Sequence, residues 1–293
     1  MNSTAVTVEL VRRGEPITVN LFGDTGGEKP ETYAFLSVFH KWLTKKGYPG
    51  ITRVQRTNQY GTAITLEAEC HRTKDLPSIV FGGKTCSDKF KVQPSQKFMN
   101  SFPDAREAWA REEKVIKIIG YHRGEQRRAD RALDNLRHPK TEAAERELEK
   151  YELRFPLIEW GWDHDECVEA IKATGLPVPP KSACFFCPST KKPEIVQLRR
   201  RHPDLYERAL ALEDRARPNL TNVAGLGRRF SWRDVDAPGL DTPVNEPCEC
   251  WDGECGVEDE EGDDVALRNV EIVGAVPRAA DQAHALPNVR RSP

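Results

Sequence analysis

The chain has 293 residues, room for one large domain or two small ones, and a core of that size folds without a stapling disulfide or metal. Its 44 Lys and Arg nearly balance 46 Asp and Glu, with the acids concentrated late, so the earlier part is mildly basic by comparison and suits an anionic ligand without calling for nucleic acid. No run approaches the roughly 20 apolar residues of a membrane span, and no charged-then-apolar signal pattern opens the chain; the expected setting is a reducing cytoplasm, where thiols act as ligands or catalysts more often than as disulfides.

In chain order, "ITVNLF" at 17–22 predicts a buried strand, and the Asp24-Thr25-Gly26-Gly27 after it a turn. Pro30 then opens a helix with Phe35, Val38, Phe39 and Trp42 at helical spacing and Glu31 in its first turn. A second strand is expected near Thr52 to Arg56 and a third at "VIKII", Val115 to Ile119, running into Gly120 and a charged helix from about Gly124. Residues 140–153, rich in Glu and Lys, read as a solvated helix face. Asp163 is expected to cap a helix closed by Gly175, with Cys167 on its apolar side as a core residue. Two further helices are predicted over 192–201 and from Pro203 through 216. Beyond 235, prolines, the acidic run "EDEEGDD" and fading apolar periodicity predict a largely disordered tail, 236–293, with three cysteines. Strands alternating with helices predict an α/β fold with a parallel sheet. Ligands of such sheets sit beyond the carboxyl ends of the strands, which puts "GDTGG" and "GYHRGEQRR" on one rim.

Three blocks carry a family resemblance. "LFGDTGGEKPETYAFL" resembles the signature of the phosphoadenosine phosphosulfate (PAPS) reductase family, a strand ending in Asp-Thr-Gly and a helix opening Pro-Glu-Thr-Tyr. "IIGYHRGEQRR" resembles a later block, a strand ending in Gly with Glu and Arg soon after, and "GLGRRFSW" resembles the family's Gly-Arg-x-x-x-Trp segment. The likeness covers residues 1 to about 233 and is nearest to PAPS-reductase-like proteins of phages and actinobacteria. It implies a three-layer α/β/α fold with a mostly parallel sheet, of the HUP or adenine nucleotide alpha-hydrolase type. It also implies a nucleotide-binding domain over 1–235, with ATP or PAPS held by Ser3, Thr4, Asp24, Thr25, Gly26, Gly120, Glu125, Arg127 and Arg228. Arg123 and Arg128 could join a phosphate fork and His122 an acid–base role, although a solvated basic face and a structural turn histidine are the plainer readings. Members of the family begin with a strand and a Ser-Gly-Gly-x-x-Ser phosphate loop. Here "MNSTAVTVELVRRG" resembles only the end of that loop and its helix. The first strand and the loop glycines are missing, which implies either a start upstream of Met1, the reading the intact later blocks favour, or a remnant that does not hold phosphate in the usual way.

The cysteines extend the resemblance. Cluster-bearing adenylylsulfate (APS) reductases carry Cys-Cys-x-x-Arg-Lys-Val-x-Pro and, much later, C-x-x-C. "CSDKFKVQP" matches the first with Cys86, Lys91, Val92 and Pro94 but puts Ser87 in place of the second cysteine, and "SACFFCP" supplies Cys184 and Cys187. The implied cofactor is a [4Fe–4S] cluster on Cys86, Cys184 and Cys187, with either an open iron or a fourth ligand from Cys70, Cys167 or the tail. Zinc is the alternative if four thiolates assemble. In the tail, Glu254, Cys255, Gly256 and Val257 resemble the family's terminal Glu-Cys-Gly motif, whose cysteine is the nucleophile, but Glu258 stands where a histidine is expected. A small metal knot of Cys248, Cys250 and Cys255, or plain exposed thiols, fits as well.

The resemblance thus implies an oxidoreductase or ATP-dependent sulfurtransferase. It would reduce a sulfonucleotide through Cys255, with a thioredoxin-type reductant as partner, or use ATP for sulfur transfer at the cluster, with a nucleic acid as the acceptor of a thiolase. The other class is a non-catalytic nucleotide-binding or regulatory protein that has lost its pyrophosphate loop.

Overall fold

The computed structural model describes residues 1–83, 85–139, 141–235 and 270–274. Helix α1 (Asn2–Arg13) ends on Gly14, whose φ of 69° lets its N–H turn back to Leu10 and Val11. Ser3 sits inside its first turn and does not cap it. Strand β1 (Ile17–Asp24) is buried along nearly its whole length. Helix α2 (Pro30–Lys45) starts on proline, as its missing N–H and fixed φ favour, and turns Phe35, Leu36, Phe39 and Leu43 inward; Val38, which the periodicity grouped with them, is exposed. Strand β2 (Ile51–Gln55) and helix α3 (Leu66–Thr73) follow, the latter capped by the Thr65 hydroxyl on Ala68 N–H. Next, α4 (Thr85–Ser87) runs through a π-helical turn, Asp88–Val92, into α5 (Gln93–Ser101), and α6 (Pro103–Ala110) leads to β3 (Val115–Ile118).

Beyond β3, a short 3₁₀ turn enters α7 (Gln126–Arg137), then α8 (Glu142–Lys150) and β4 (Tyr151–Arg154). The charged stretch expected as a solvated helix face thus ends in a strand, because Tyr151 is buried against the sheet. After the single turn α9 (Pro156–Glu159) comes α10 (His164–Lys172), closed at its start by a reciprocal Asp163 and Glu166 capping box. Helices α11 (Lys192–Arg201) and α12 (Pro203–Ala216) then pack on each other.

The last described element is strand β5 (Val270–Gly274), from the segment expected to be largely disordered. It occupies the middle of the sheet, whose order among the described residues is β2-β1-β5-β3-β4. The pairs β1/β2 and β3/β4 are parallel, whereas β5 runs antiparallel to both its neighbours. The fold is therefore mixed α/β, and the sheet is mixed rather than mostly parallel. The strand between β1 and β3 thus comes from the other end of the chain. Because β1 and β3 both oppose β5, they point the same way, and the ends of β1 and β3 lie on one edge of the sheet.

One apolar cluster joins α1, α2 and α10 to Ile17 and Ile118, with Cys167 fully buried in it. Another joins α5 and α6 to Val19, Leu21, Val54, Val115 and Tyr151. The largest cluster contains no strand residue and packs α3, α11, α12 and the Cys184 segment together. Among the described residues no helix is long and apolar enough to cross a membrane.

The sheet order makes Ile272, opposite Asn20 on one side and Ile118 on the other, a backbone keystone. Replacing it by proline removes a central N–H and should cost at least about 1–3 kcal/mol for the carbonyl left bare. A urea midpoint equal to wild type would exclude β5 from this position.

Candidate functional site

The site is built from the loop after β1. Asp24, whose side chain is wholly buried, accepts from Gly26 N–H at 2.8 Å and Tyr33 Oη at 2.9 Å on one oxygen, and from Gln55 Nε2 at 3.0 Å and the Arg53 guanidinium on the other. One carboxylate thus ties β1 to β2 and to the first turn of α2. Burial, with the Asp24 charge beside it, pushes the Tyr33 hydroxyl well above its ordinary pKa and keeps it a donor. Gly26 has φ 75°, and a Cβ there would come within 2.4 Å of Thr65, so the turn demands glycine twice over.

The residues that follow reach the cysteines. Thr25 Oγ1 lies 3.0 Å from Cys184 Sγ, Phe185 N–H donates to Gly27 O at 2.8 Å, and Glu28 and Cys184 form a β-bridge. Thr25 O also receives Leu66 N–H, which docks the start of α3 on the same loop. Glu28 accepts from Ser182 Oγ at 3.0 Å and pairs with Lys91 at 3.8 Å; the carboxylate is fully enclosed and the lysine 4% exposed. Burial raises the Glu28 pKa, and Lys91 opposes it.

Cys184 and Cys187 are both buried, joined by a turn in which Cys187 N–H donates to Cys184 O. Burial raises both thiol pKa values, the reverse of what a redox C-x-x-C needs. Cys86, fixed by its N–H to Ser78 Oγ, packs against the same cluster. So does Cys70 on α3, its thiol pushed up to about 12 by burial. Cys167 stands apart in the α1/α10 cluster. Among the described residues no three Cys, His, Asp or Glu stand close enough to share one metal ion. A cavity of about 10 Å³, room for a single water, lies beside Cys187 between Lys29, Lys181 and Glu194.

A second group forms after β3. Gly120 packs on the start of α1, where a Cβ would meet Ser3 N at 2.9 Å, so a helix N-terminus lies beside that strand end. Glu125 accepts from Asn2 Nδ2, from His122 N–H and from Arg128, which also lies over the Tyr121 ring. Glu125 is therefore a tie between α1 and the β3 rim. His122 is a cap, its Nδ1 accepting from Gly124 N–H. Arg123 pairs with Asp163. Of the remaining expected nucleotide residues, Thr4 is buried inside α1, while Arg127 and Arg228 are exposed.

Arg228 belongs to a loop whose organiser the sequence reading missed. Glu213 on α12, 2% exposed, accepts from Leu226 N–H, Trp232 N–H and Ser231 Oγ, and so fixes "GLGRRFSW". A Glu four residues past a buried Ala209 was the available signal. Cys248, Cys250 and Cys255 lie outside the described residues. Comparison with protein-family models, curated proteins and solved structures returned no match.

The arrangement separates a buried anchor from an exposed partner. Asp24→Asn should cost about 1–3 kcal/mol, since donors that faced a carboxylate then face an amide N–H₂. Arg53→Ala, removing a half-exposed partner, should cost under about 1 kcal/mol. Urea unfolding of both variants checks the order, and equal losses would contradict it.

Proposed function

We propose that the chain is an adenine-nucleotide-binding enzyme of the PAPS-reductase-like branch, with a three-layer HUP-type fold, acting on a sulfonucleotide or using ATP for sulfur-transfer chemistry beside an iron–sulfur cluster. The observation that carries this reading is the direct junction between the β1 rim and the thiols. Thr25, Gly27 and Glu28 each contact the Cys184–Phe185 segment. A nucleotide seated beyond β1 and β3 would therefore lie next to the cysteines.

The donor chemistry suits an iron–sulfur cluster: Cys70, Cys184 and Cys187 lie in one apolar cluster with Cys86 packed against it, an all-thiol set of the kind iron–sulfur groups use, and four such thiolates would equally suit zinc. Cys86, Cys184 and Cys187 would hold the iron–sulfur group, and when bound it would supply electrons or an iron site for sulfur. The chain's own part is positional. Asp24 and Gly26 fix the turn, Thr25 orients the Cys184 thiol, and Lys91 places a buried positive charge beside Cys184 and Cys187. The first turn of α1, beside Gly120, would present the positive end of the helix dipole to a phosphate. In the reductase form the Cys255 thiolate would attack the sulfonucleotide sulfur and displace the nucleotide through its phosphate oxygen, leaving a Cys S-sulfonate from which a thioredoxin-type dithiol, oxidised to its disulfide, would release sulfite. In the sulfurtransferase form ATP activates the acceptor, which is a nucleic acid in a thiolase.

One observation favours a second reading, a nucleotide-binding or regulatory protein without catalysis. The strand between β1 and β3 comes from 270–274 and runs antiparallel, so it does not lead a phosphate loop into α1.

Anaerobic purification with iron, sulfide and zinc analysis, beside calorimetry with ATP and PAPS, tests the reading. Bound iron and sulfide with nucleotide affinity are expected; affinity without iron selects the regulatory reading, and neither would overturn both. Sulfite release from PAPS or APS unchanged in Cys255→Ser would exclude that thiol as the nucleophile.

A further inference from the structure

The resemblance implies Cys86, Cys184 and Cys187 as cluster ligands, and Ser87 leaves the fourth position open. The chain has eight cysteines. Among those described, Cys167 is fully buried in the cluster of α1, α2 and α10, away from the C-x-x-C. Cys70 lies in the cluster that contains Cys184 and Cys187, with Cys86 packed against it. The four thiols form a chain of neighbours close enough for their charges to interact: Cys70 with Cys86, Cys86 with Cys187, and Cys187 with Cys184.

Cys70 is held in that place from both ends of its helix. Leu66 N–H docks the start of α3 on Thr25 O, the residue whose hydroxyl meets Cys184. Along α12, Arg208 grips Glu67, and Arg215 Nε donates to His71 O at 2.6 Å. At the far end Asn219 Nδ2 donates to Lys74 O at 2.8 Å. The thiol is thus fixed by elements on two sides and is 5% exposed. Lys91, buried beside Cys184 and Cys187, places a positive charge at the thiols, and it is paired with the Glu28 carboxylate that also faces Cys184.

We propose that Cys70 is the fourth thiolate of the group held by Cys86, Cys184 and Cys187, so that the site is closed and has no open iron. The proposal rests on the cluster reading given above and sharpens it. A closed site carries electrons or fixes the α3 and Cys184 segments, and it does not take up exogenous sulfur on a free iron. It also gives Ser87 no ligand role.

The test uses the full chain, purified anaerobically and reconstituted with iron and sulfide. Two variants are compared with wild type: Cys70→Ser, and one in which Cys167, Cys248, Cys250 and Cys255 are all replaced by alanine. The fourfold variant should keep the wild-type iron and sulfide content, and its Mössbauer spectrum should show no iron lacking a thiolate. Cys70→Ser should lose at least half its iron or show a shifted EPR spectrum of the reduced form. Added sulfide should leave the wild-type EPR spectrum unchanged. Full iron and an unshifted spectrum in Cys70→Ser would overturn the assignment while leaving the cluster reading intact. Loss of a thiolate-bound iron in the fourfold variant, or a sulfide-dependent EPR change in wild type, would do the same, and neither depends on Cys70→Ser folding. Wild type that binds no iron at all would remove the cluster reading and this proposal together.

Discussion

The buried carboxylate of Asp24 is the contact on which the rest of the site depends. Its two oxygens take four donors, from the turn after β1, from α2 and from β2. A carboxylate enclosed this fully is stable only when its lone pairs are filled, and each donor here belongs to a different structural need. Because Asp24 fixes the turn, Thr25 faces the Cys184 thiol and Gly27 offers its carbonyl to Phe185. The strandless helical cluster is then seated on the sheet through these few bonds and through Leu66 on Thr25. The chemistry of the rim and the packing of the thiols are, in this sense, one piece of architecture.

A second buried carboxylate works in the same way at the far side of that cluster. Glu213 fills its oxygens with two backbone N–H groups and one hydroxyl from a loop whose regular structure is a single 3₁₀ turn, Trp232–Asp234. Loops buried against a core must find partners for their backbone, and a single acid on α12 supplies them. Arg228, at φ 61° on that loop, is exposed.

Much of this was legible in the sequence where the signal is local. The strand before Asp24, the proline-opened α2, the Asp163 cap and the paired helices after Lys191 each follow from spacing and end residues within a dozen positions. Strand β4 was hidden because only Tyr151 and Leu153 are apolar in a charged run, and the parallel edge of β3 supplies the rest. Strand β5 was hidden for a stronger reason. "VEIVG" is short and follows an acidic run, with a proline soon after, so local composition argues for disorder, while its place in the sheet comes from two ladders to strands more than a hundred residues away. In the sequence Cys70 stands beside Cys167 and the tail cysteines as a candidate fourth ligand, because spacing does not say which thiols share a core; it packs in the cluster of Cys184 and Cys187, and Cys167 does not.

The same nonlocality bears on how a thiol-bound group would enter. Thiols bind metal as thiolates, so each must lose its proton on loading, and burial opposes that loss. With α3 and the Cys184 segment fully docked, the thiols are enclosed, and the cavity beside Cys187 admits no more than a water. Loading would therefore favour a form in which at least one of these segments is undocked, where solvation lowers the cost of deprotonation and leaves room for the group. Closing α3 against α12 through Arg208 and Arg215, and against the turn after it through Asn219, would then enclose what had been bound. The bonds that seat Cys70 are mostly exposed ion pairs and side-chain contacts to backbone, individually weak. A group holding Cys70 to Cys86 and the C-x-x-C would supply the strong link between α3 and the loop after β1 that those contacts lack.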